Sequence, residues 1–168
     1  AKEGKMLFLV AQRNESEQEI TSGEQLHSVG VVAHVVRMLK LPEKRYKVLL
    51  QGLVRAQAKQ FQPNRSLVEA VIEPLVTKDQ QEVSAEQKSI INRIRENLQV
   101  LIENEHLPEE LLVVTEEIDE PGPLADVIFA HYRLTPEKAQ TALEELNGAK
   151  RLKLADALVS DDLNQYLL

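Results

Sequence analysis

Two runs of aliphatic and β-branched residues lie between residues 29 and 61, with a polar segment between them. The first run is VGVVAHVV, starting at Val29, and the second begins at Tyr46. Pro42-Glu43-Lys44-Arg45 separates them, and residues of these types are typical of a turn. The pattern therefore predicts a β-hairpin over residues 29–61, with Gly52 marking a β-bulge or a close backbone approach.

The rest of the first half also predicts short strands. Residues 5–12 form an apolar run that we interpret as a strand buried on both faces, and residues 13–28 are polar and predict a mobile surface loop. After a turn at Pro63-Asn64-Arg65, residues 67–73 alternate with a period of two until Pro74 ends the pattern. These elements together predict a small, mostly antiparallel β domain.

The hydrophobic period changes to that of a helix after Ser84, which forms a capping-box pattern with Gln87. The apolar stripe of this helix consists of Ile90, Ile91, Ile94, Leu98, Leu101 and Ile102. Further helices are predicted over residues 109–117, with Pro108 in the first turn, and over residues 123–131. We also predict a helix from a Thr135 cap to a stop at Asn147-Gly148, then one over 150–159 and one over 161–168 after a Ser160 cap.

The buried positions of the last two helices are predicted to be Leu152, Ala155, Leu158, Leu163 and Leu167. Because the period switches inside the polar segment that follows Pro74, we divide the chain into a β-rich domain at 1–76 and a helical domain at 77–168. The predicted class is α+β, a small antiparallel β domain followed by a bundle of short helices.

Composition adds a difference in charge between the two halves. The chain has 168 residues and a net charge of −7, with 43% hydrophobic and 28% charged residues, values typical of a soluble globular protein. Up to Pro74 there are 11 Lys and Arg against 8 Asp and Glu, whereas the remainder has 9 against 19. The absence of cysteine, of a signal peptide and of a long apolar run predicts a cytoplasmic protein without a membrane partner.

A search for catalytic motifs identifies no candidate. The chain lacks a phosphate-binding G-x-x-x-x-G-K-[ST] loop, a G-x-S-x-G elbow and an H-E-x-x-H motif. Its four histidines, His27, His34, His106 and His131, are far apart, and the acidic pairs are interpreted as solvated helix surface. We therefore predict no catalytic, metal-binding or cofactor-binding residue in this chain.

The bend of the predicted hairpin carries an unusual mixture of residues. Its apolar members are Met38, Leu39 and Leu41, and its cations are Arg37, Lys40, Lys44, Arg45 and Lys47. Either the apolar side chains pack inward, or they form an exposed surface that binds extended hydrophobic peptide, with a free sheet edge adding backbone pairing. The candidate contact residues are Arg37, Met38, Leu39, Lys40, Leu41 and Pro42.

Three segments resemble the amino-terminal domain of bacterial Lon proteases: KMLFLVAQRN at 5–14, VGVVAHVVRMLKLPEKRYKVLLQGLVRA at 29–56, and IDEPGPLADVIFAH at 118–131. The resemblance is weak beyond Leu134. It implies a β-rich fold of the pseudouridine-synthase-associated type, followed by a helical bundle, that performs no chemistry. It also implies partners: misfolded or degradation-tagged protein substrates, the rest of the Lon chain and its sister subunits.

In the family, ATP and magnesium are used by an ATPase module, and proteolysis by a Ser-Lys peptidase, in other parts of the parent chain. The family also has an apolar, proline-containing strand region and a short helix before the strand matched by residues 6–10. We therefore expect the sheet to lack its first strands, or to replace them by pairing with another copy.

Two other functions stay open from the residues alone. An RNA-binding module would use the basic cluster of the hairpin. Against nucleic acid as a partner, Tyr46 and Phe61 are the only aromatic residues near this cluster, and the acidic half opposes polyanions. A stand-alone adaptor made of this domain is the other alternative.

Overall fold

The computed structural model describes residues 4–63, 68–78 and 82–168. The chain separates into two compact units, Ala1–Val76 and Thr77–Leu168. The described residues form an antiparallel sheet in the first unit and five α-helices in the second, so the α+β class is confirmed. The predicted turn at Asn64-Arg65 and residue Leu67 of the predicted last strand lie outside the described residues.

The sheet of the first unit has four strands in the order β1-β2-β3-β4. Their bounds are Met6–Leu9 (β1), Val29–Leu41 (β2), Arg45–Pro63 (β3) and Val68–Pro74 (β4). β2 and β3 form the predicted hairpin, whose register runs from Val29 opposite Gln57 to Leu41 opposite Arg45. A register shift falls next to Gly52, between the pairs Val32–Val54 and Ala33–Gly52, as the glycine predicted.

The core of this sheet is small because its buried side chains are short. The buried side chains are those of Val32, Ala33, Val35, Ala56 and Ala58. The backbones of β1 and β2 also approach each other closely at Gly30. A methyl group on Gly30 would overlap the carbonyl oxygen of Leu9, since the two strands meet there without space for a side chain.

The prediction that the first strand is buried on both faces was wrong. β1 pairs only with β2 among the described strands, so it lies at an edge of the sheet. Met6 is 67% exposed and Leu9 is also exposed, whereas Leu7 and Phe8 are half-buried. An edge strand with one neighbour has one side open to solvent, and its apolar composition alone did not reveal this position.

The segment between β1 and β2 is more structured than the predicted mobile loop. It contains a short 3-10 helix, Gly23–Gln25, which begins with a capping box formed by Ser22 and Gln25. The Arg13 amide donates to the carbonyl of Gln25 at 2.8 Å, and Leu26 is buried. Local side-chain capping therefore orders a segment whose polar composition suggested a solvated loop.

The second unit contains five helices: Ala85–Glu103 (α1), Glu109–Glu116 (α2), Pro121–His131 (α3), Pro136–Glu144 (α4) and Gly148–Tyr166 (α5). The predicted Ser84 and Gln87 capping box is present at the start of α1. The predicted stripe of α1 is buried except for the half-buried Ile102, and it packs with Leu111, Leu124, Ile128, Leu152 and Val159. This cluster is the main hydrophobic core of the helical unit.

Several predicted helix ends were wrong. Asn147 does not stop α4, which ends at Glu144; its side chain accepts from the Lys150 amide and begins α5. Ser160 lies inside the continuous α5 rather than capping a separate helix. Asn and Ser suit both helix ends and interior sites that offer a polar partner. The Ser160 hydroxyl accepts a hydrogen bond from the side-chain Nδ2 of Asn97 at 3.4 Å.

Two other helix starts and some buried positions of α5 also differ from the prediction. Pro108 occupies the N-cap position of α2 and not its first turn, and α3 begins at Pro121 instead of Pro123. Leu152 and Ala155 are buried as predicted, whereas Leu158 and Leu163 are half-buried and Leu167 is exposed.

Candidate functional site

The far part of the β2-β3 hairpin extends past the four-stranded region of the sheet. β1 pairs with β2 as far as His34, and two backbone hydrogen bonds, one with Gly4 and one with Lys5, extend the contact to Val35. β4 pairs with β3 only from Ala56 onward. In the described part of the chain, residues 36–41 and 45–49 therefore have no strand neighbours except each other, and residues 50–54 have none except residues 32–35 of β2. We call this segment, with its turn at residues 42–44, the hairpin ribbon.

One face of the hairpin ribbon combines leucines with cations. The register places one leucine opposite one cation on each of three consecutive pairs on this face: Arg37–Leu49, Leu39–Lys47 and Leu41–Arg45. Leu39, Leu41 and Leu49 are 44%, 38% and 59% exposed, respectively. Directly opposite residues share a face of the sheet, so this face presents apolar and positively charged groups side by side.

The other face of the ribbon is more apolar. Met38 lies opposite Val48, and Lys40 lies opposite Tyr46. Met38 is half-buried, whereas Val48 and Tyr46 are exposed. Leu39 and Leu41 do not pack inward, so the structure agrees with the exposed alternative for these two leucines.

The structure places the predicted contact residues somewhat differently from the sequence analysis. Arg37 to Leu41 belong to the last part of β2, not to the bend, which consists of residues 42–44. Arg37, Leu39, Lys40, Leu41 and Pro42 are exposed, and Met38 is less so. Sequence reasoning missed the contribution of β3, whose exposed apolar residues are Tyr46, Val48, Leu49, Leu53 and Val54. The alternation of Tyr46 and Val48 with Arg45 and Lys47 was the signal that could have identified the first two of them.

The turn of the hairpin ribbon has an uncommon backbone conformation. Glu43 and Lys44 have φ values of 63° and 57°, in the left-handed region that is costly for most residues. Glycine and asparagine adopt this region most readily, whereas Glu and Lys do not. The three-residue turn nevertheless keeps the pairing continuous from Arg37–Leu49 to the last pair, Leu41 and Arg45.

Positive charge dominates the ribbon. Residues 36–54 include five cations and one carboxylate, Glu43. Arg45 approaches Glu43 at 3.8 Å with both side chains largely exposed, a contact that contributes little in water. Within the described residues, no carboxylate pairs with Arg37, Lys40 or Lys47. The ribbon is therefore an exposed apolar surface with cations available for a partner.

The aromatic residues that an RNA-binding site would need are sparse on this ribbon. Tyr46 is 56% exposed and has no second aromatic neighbour on the ribbon. Phe61 lies beyond it and packs closely on Gly23, where an added methyl group would approach the Phe61 side chain to 2.7 Å. Phe61 is thus part of the packing of the β unit rather than a stacking surface for bases.

The helical unit contains a groove of about 450 Å³ that sequence reasoning did not identify. It lies between the end of α3, α4 and α5, and its apolar lining includes Phe129, Leu134, Ala142, Leu154 and Leu158. Leu154 and Leu158 are one turn apart on α5, outside the stripe that enters the main core. This spacing was the available sequence signal, but only Leu158 was singled out, as a buried core position.

A polar network borders this groove. Asp162 accepts a hydrogen bond from the Tyr132 hydroxyl at 3.0 Å, and the His106 Nε2 lies 3.0 Å from its other oxygen. Burial, reinforced by the charge of Asp162 and this hydrogen bond, raises the pKa of Tyr132 above its ordinary value. Tyr132 therefore stays protonated, and the network connects the ends of α1 and α3 with α5.

The histidines are dispersed, and the side chains of two of them lie within hydrogen-bond distance of another group. His106 contacts Asp162, and the His131 Nδ1 lies 2.9 Å from the Val127 carbonyl oxygen, one helical turn earlier. His34 lies within β2 opposite Gln51. No group of three or more potential ligand residues that could hold a metal ion occurs among residues 4–63, 68–78 and 82–168. None of the helices described is long and apolar enough to cross a membrane.

Comparison with known proteins assigns the fold and then the family. The structure is similar to the N-terminal domain of Mycobacterium avium complex Lon protease, with a TM-score of 0.65 over 95% of this chain and 91% of that chain at 17% identity. It is also similar to a Lon N-terminal domain protein from Xanthomonas campestris, with a TM-score of 0.55 over 90% of this chain and 88% of that chain at 10% identity. The chain thus has the α+β fold of these domains.

The family model for the ATP-dependent protease La (LON) substrate-binding domain matches residues 1–161. The chain belongs to this family, and the match extends well past Leu134, where the sequence analysis found the resemblance weak. Lon protease from Lawsonia intracellularis is 35% identical over 90% of this chain and 18% of the relative. Lon protease from Geobacter metallireducens is 34% identical over 89% of this chain and 18% of the relative. The chain thus spans about a fifth of these relatives' length.

Proposed function

We propose that this chain is the part of an ATP-dependent Lon-type serine protease that recognises misfolded and degradation-tagged proteins and supports assembly of the parent. In this proposal the chain performs no catalysis. ATP and magnesium bind to the ATPase module of the parent, and peptide bonds are cleaved at its separate peptidase site. The partners are unfolded or tagged polypeptides, the rest of the parent chain and its sister subunits, in the cytoplasm.

The observation that carries the proposal is the exposed hairpin ribbon in a chain that belongs to a substrate-binding domain family. An unfolded protein differs from a folded one by exposing apolar side chains and unpaired backbone groups. The ribbon offers matching features: exposed leucines on one face, apolar side chains on the other, and strand edges without neighbours in the described part of the chain. The proposed contacts are Arg37, Met38, Leu39, Lys40, Leu41 and Pro42.

The test is a fluorescence-anisotropy titration of the 168-residue chain with a labelled polypeptide held unfolded by reduction and carboxymethylation. Saturable binding is expected, and it should persist at high salt because apolar contacts are screened less than ion pairs. The double variant Leu39→Asp, Leu49→Asp should weaken binding at least about tenfold, because each charge prevents burial of apolar area worth more than ~1 kcal/mol.

The matched control is Val113→Asp, which changes an equally exposed apolar residue on α2, in the helical unit. It should leave binding unchanged. Equal weakening by the control and the ribbon variant would contradict a role for the ribbon. Binding to a labelled RNA that decreases steeply with salt, in place of polypeptide binding, would support the RNA-binding alternative.

A further inference from the structure

The outer edge of β3, on the side away from β2, carries both cations and apolar residues. From Arg45 to Leu50 its sequence is RYKVLL, in which cations and apolar residues alternate over the first four positions. Because successive side chains of a strand point to opposite faces, Arg45 and Lys47 lie on one face of the ribbon. Tyr46, Val48 and Leu50 lie on the other face.

This edge has no neighbouring strand in the described residues. β4 covers β3 from Ala56 to Pro63, and the Leu75 amide extends that contact by one hydrogen bond to the Arg55 carbonyl at 2.8 Å. Residues 45–54 lie beyond this limit. A strand edge that is extended, regular and open can accept the backbone of another extended chain as a new strand.

We propose that this edge binds extended polypeptide segments in which acidic and apolar residues alternate, by adding them to the ribbon as an antiparallel or parallel strand. This inference rests on the proposed function and names the class of segment preferred. An added strand has the same alternation as its neighbour, so one set of its side chains lies beside Arg45 and Lys47 and the other set beside Tyr46, Val48 and Leu50. Carboxylates complement the first set, and aliphatic side chains complement the second.

The charges also explain what the edge would exclude. Two cations beside an open edge repel basic segments, and Lys or Arg on edge strands disfavours pairing with a second identical edge. Since the ribbon carries only one carboxylate, Glu43 in its turn, two copies of this edge would place like charges together. The expected occupant is therefore an acidic-apolar segment of another protein, and not a second copy of this ribbon.

The experiment titrates the 168-residue chain with three labelled, blocked eight-residue peptides. The first alternates Glu and Val, the second alternates Lys and Val, and the third has the composition of the first with its Glu and Val residues in two blocks. The alternating Glu-Val peptide should bind about tenfold more tightly than the others at low salt, since each exposed ion pair contributes a factor of at most about five. Equal affinities for the three peptides would overturn the inference.

Two further measurements separate strand addition from charge attraction. A Glu-Val peptide with N-methyl groups on alternate residues keeps its side chains but loses the amides that pair with an edge, so its binding should be lost. Bound peptide should also slow amide hydrogen exchange within residues 45–54. Unchanged binding by the methylated peptide would contradict strand addition.

The charge-reversed variant Arg45→Glu, Lys47→Glu should invert the preference, so that the alternating Lys-Val peptide binds more tightly. The matched control is Lys88→Glu, Lys138→Glu, which makes the same change of charge at two exposed positions of the helical unit. The control should retain the original preference. If it inverts the preference equally, the outer edge of β3 is not the site. Polypeptide binding without any difference between peptides would sustain the proposed function while rejecting this inference.

Discussion

Leucine has opposite environments in the two units of this protein. In the helical unit, Leu98, Leu101 and Leu111 are completely buried in one core. In the hairpin ribbon, Leu39 and Leu49 are exposed on a two-stranded segment. Burial of a leucine side chain stabilises a fold by ~1.5–3 kcal/mol, whereas an exposed leucine contributes little to folding. The helical leucines therefore account for stability, and the ribbon leucines are available for a partner.

The two units also differ in how many neighbouring elements pack against each helix or strand. α1 packs against α2 and α5, and the Arg95 guanidinium donates to the Thr115 and Ile118 carbonyls at 2.8 and 2.9 Å. A two-stranded segment without further neighbours is only marginally stable in water. The ribbon therefore depends on the regularity of its turn and on the sheet at its base. It is the part of the described structure most able to adapt to a binding partner.

The largest expected effect tests the two kinds of leucine directly. Leu98→Ala should reduce the free energy of unfolding of the helical unit by about 3 kcal/mol, because it leaves a cavity in the core. Leu49→Ala should change the stability of the β unit by less than ~0.5 kcal/mol. Urea unfolding followed by circular dichroism at 222 nm measures the first, and amide hydrogen exchange of β2 and β3 measures the second. Similar losses in both variants would contradict the division between buried core leucines and exposed ribbon leucines.

The second effect concerns the polar network of the helical unit. Tyr132→Phe removes a hydrogen bond to the Asp162 carboxylate and should lower the free energy of unfolding by about 1.5 kcal/mol at pH 7. This value is near the lower end of the range for hydrogen bonds to charged groups, because the hydrogen bond is partly exposed. Circular dichroism at 222 nm during urea unfolding provides the measurement. An unchanged free energy of unfolding would show that solvent replaces the hydroxyl fully, and would contradict this prediction.

The pH dependence of that effect has a definite sign. Burial raises the pKa of Tyr132 in the folded state above the unfolded value of about 10. The stability contributed by the protonated hydroxyl is thus complete below about pH 10 and is lost as the pH rises further. The difference in stability between the wild type and Tyr132→Phe should be constant from pH 7 to 9 and should decrease above about pH 10. A difference that grew with alkaline pH would show that the pKa is lowered instead.

The third effect concerns the stability of the turn at the tip of the ribbon. Glu43→Asn with Lys44→Gly replaces two side chains held at positive φ by the residue types that adopt this conformation most readily. Stabilisation of the ribbon by about 1 kcal/mol is expected, since the left-handed conformation is costly for most residues. Amide hydrogen exchange of Leu41 and Arg45 should become slower. Lys40→Gly, a glycine inside β2, serves as the control and should accelerate exchange.

The smallest effect examines the same backbone conformation in the helical unit. Glu105 has a φ of 59° just after α1, and the His106 amide donates to the Leu101 carbonyl at 2.9 Å, as in a Schellman motif. Glu105→Gly should therefore stabilise the helical unit by ~0.5–1 kcal/mol. Its control, Glu103→Gly, lies within α1 and should destabilise by ~1 kcal/mol. The melting temperatures of the two variants, followed at 222 nm, should move in opposite directions.

Local patterns were sufficient for the elements whose sequence and environment agree. The valine-rich runs around Pro42 predicted the hairpin, and the Ser84 and Gln87 pair with its apolar stripe predicted α1. The predicted ends near Asn147 and Ser160 were wrong because these residue types suit several backbone environments. A cap, a helix interior and a helix stop differ in their tertiary partners, which the local sequence does not specify.

For the candidate site, the sequence by itself determined the composition of the hairpin: its apolar residues, its cations and the turn between them. Only the tertiary structure decided that β1 begins opposite His34 and that β4 ends opposite Ala56, which leaves the ribbon beyond them without covering strands in the described residues. The register then decided that Arg45 and Lys47 share a face with Leu39 and Leu41. Exposure depends on which distant segments pack on a strand, and an apolar strand has the same local pattern whether or not a neighbour covers it.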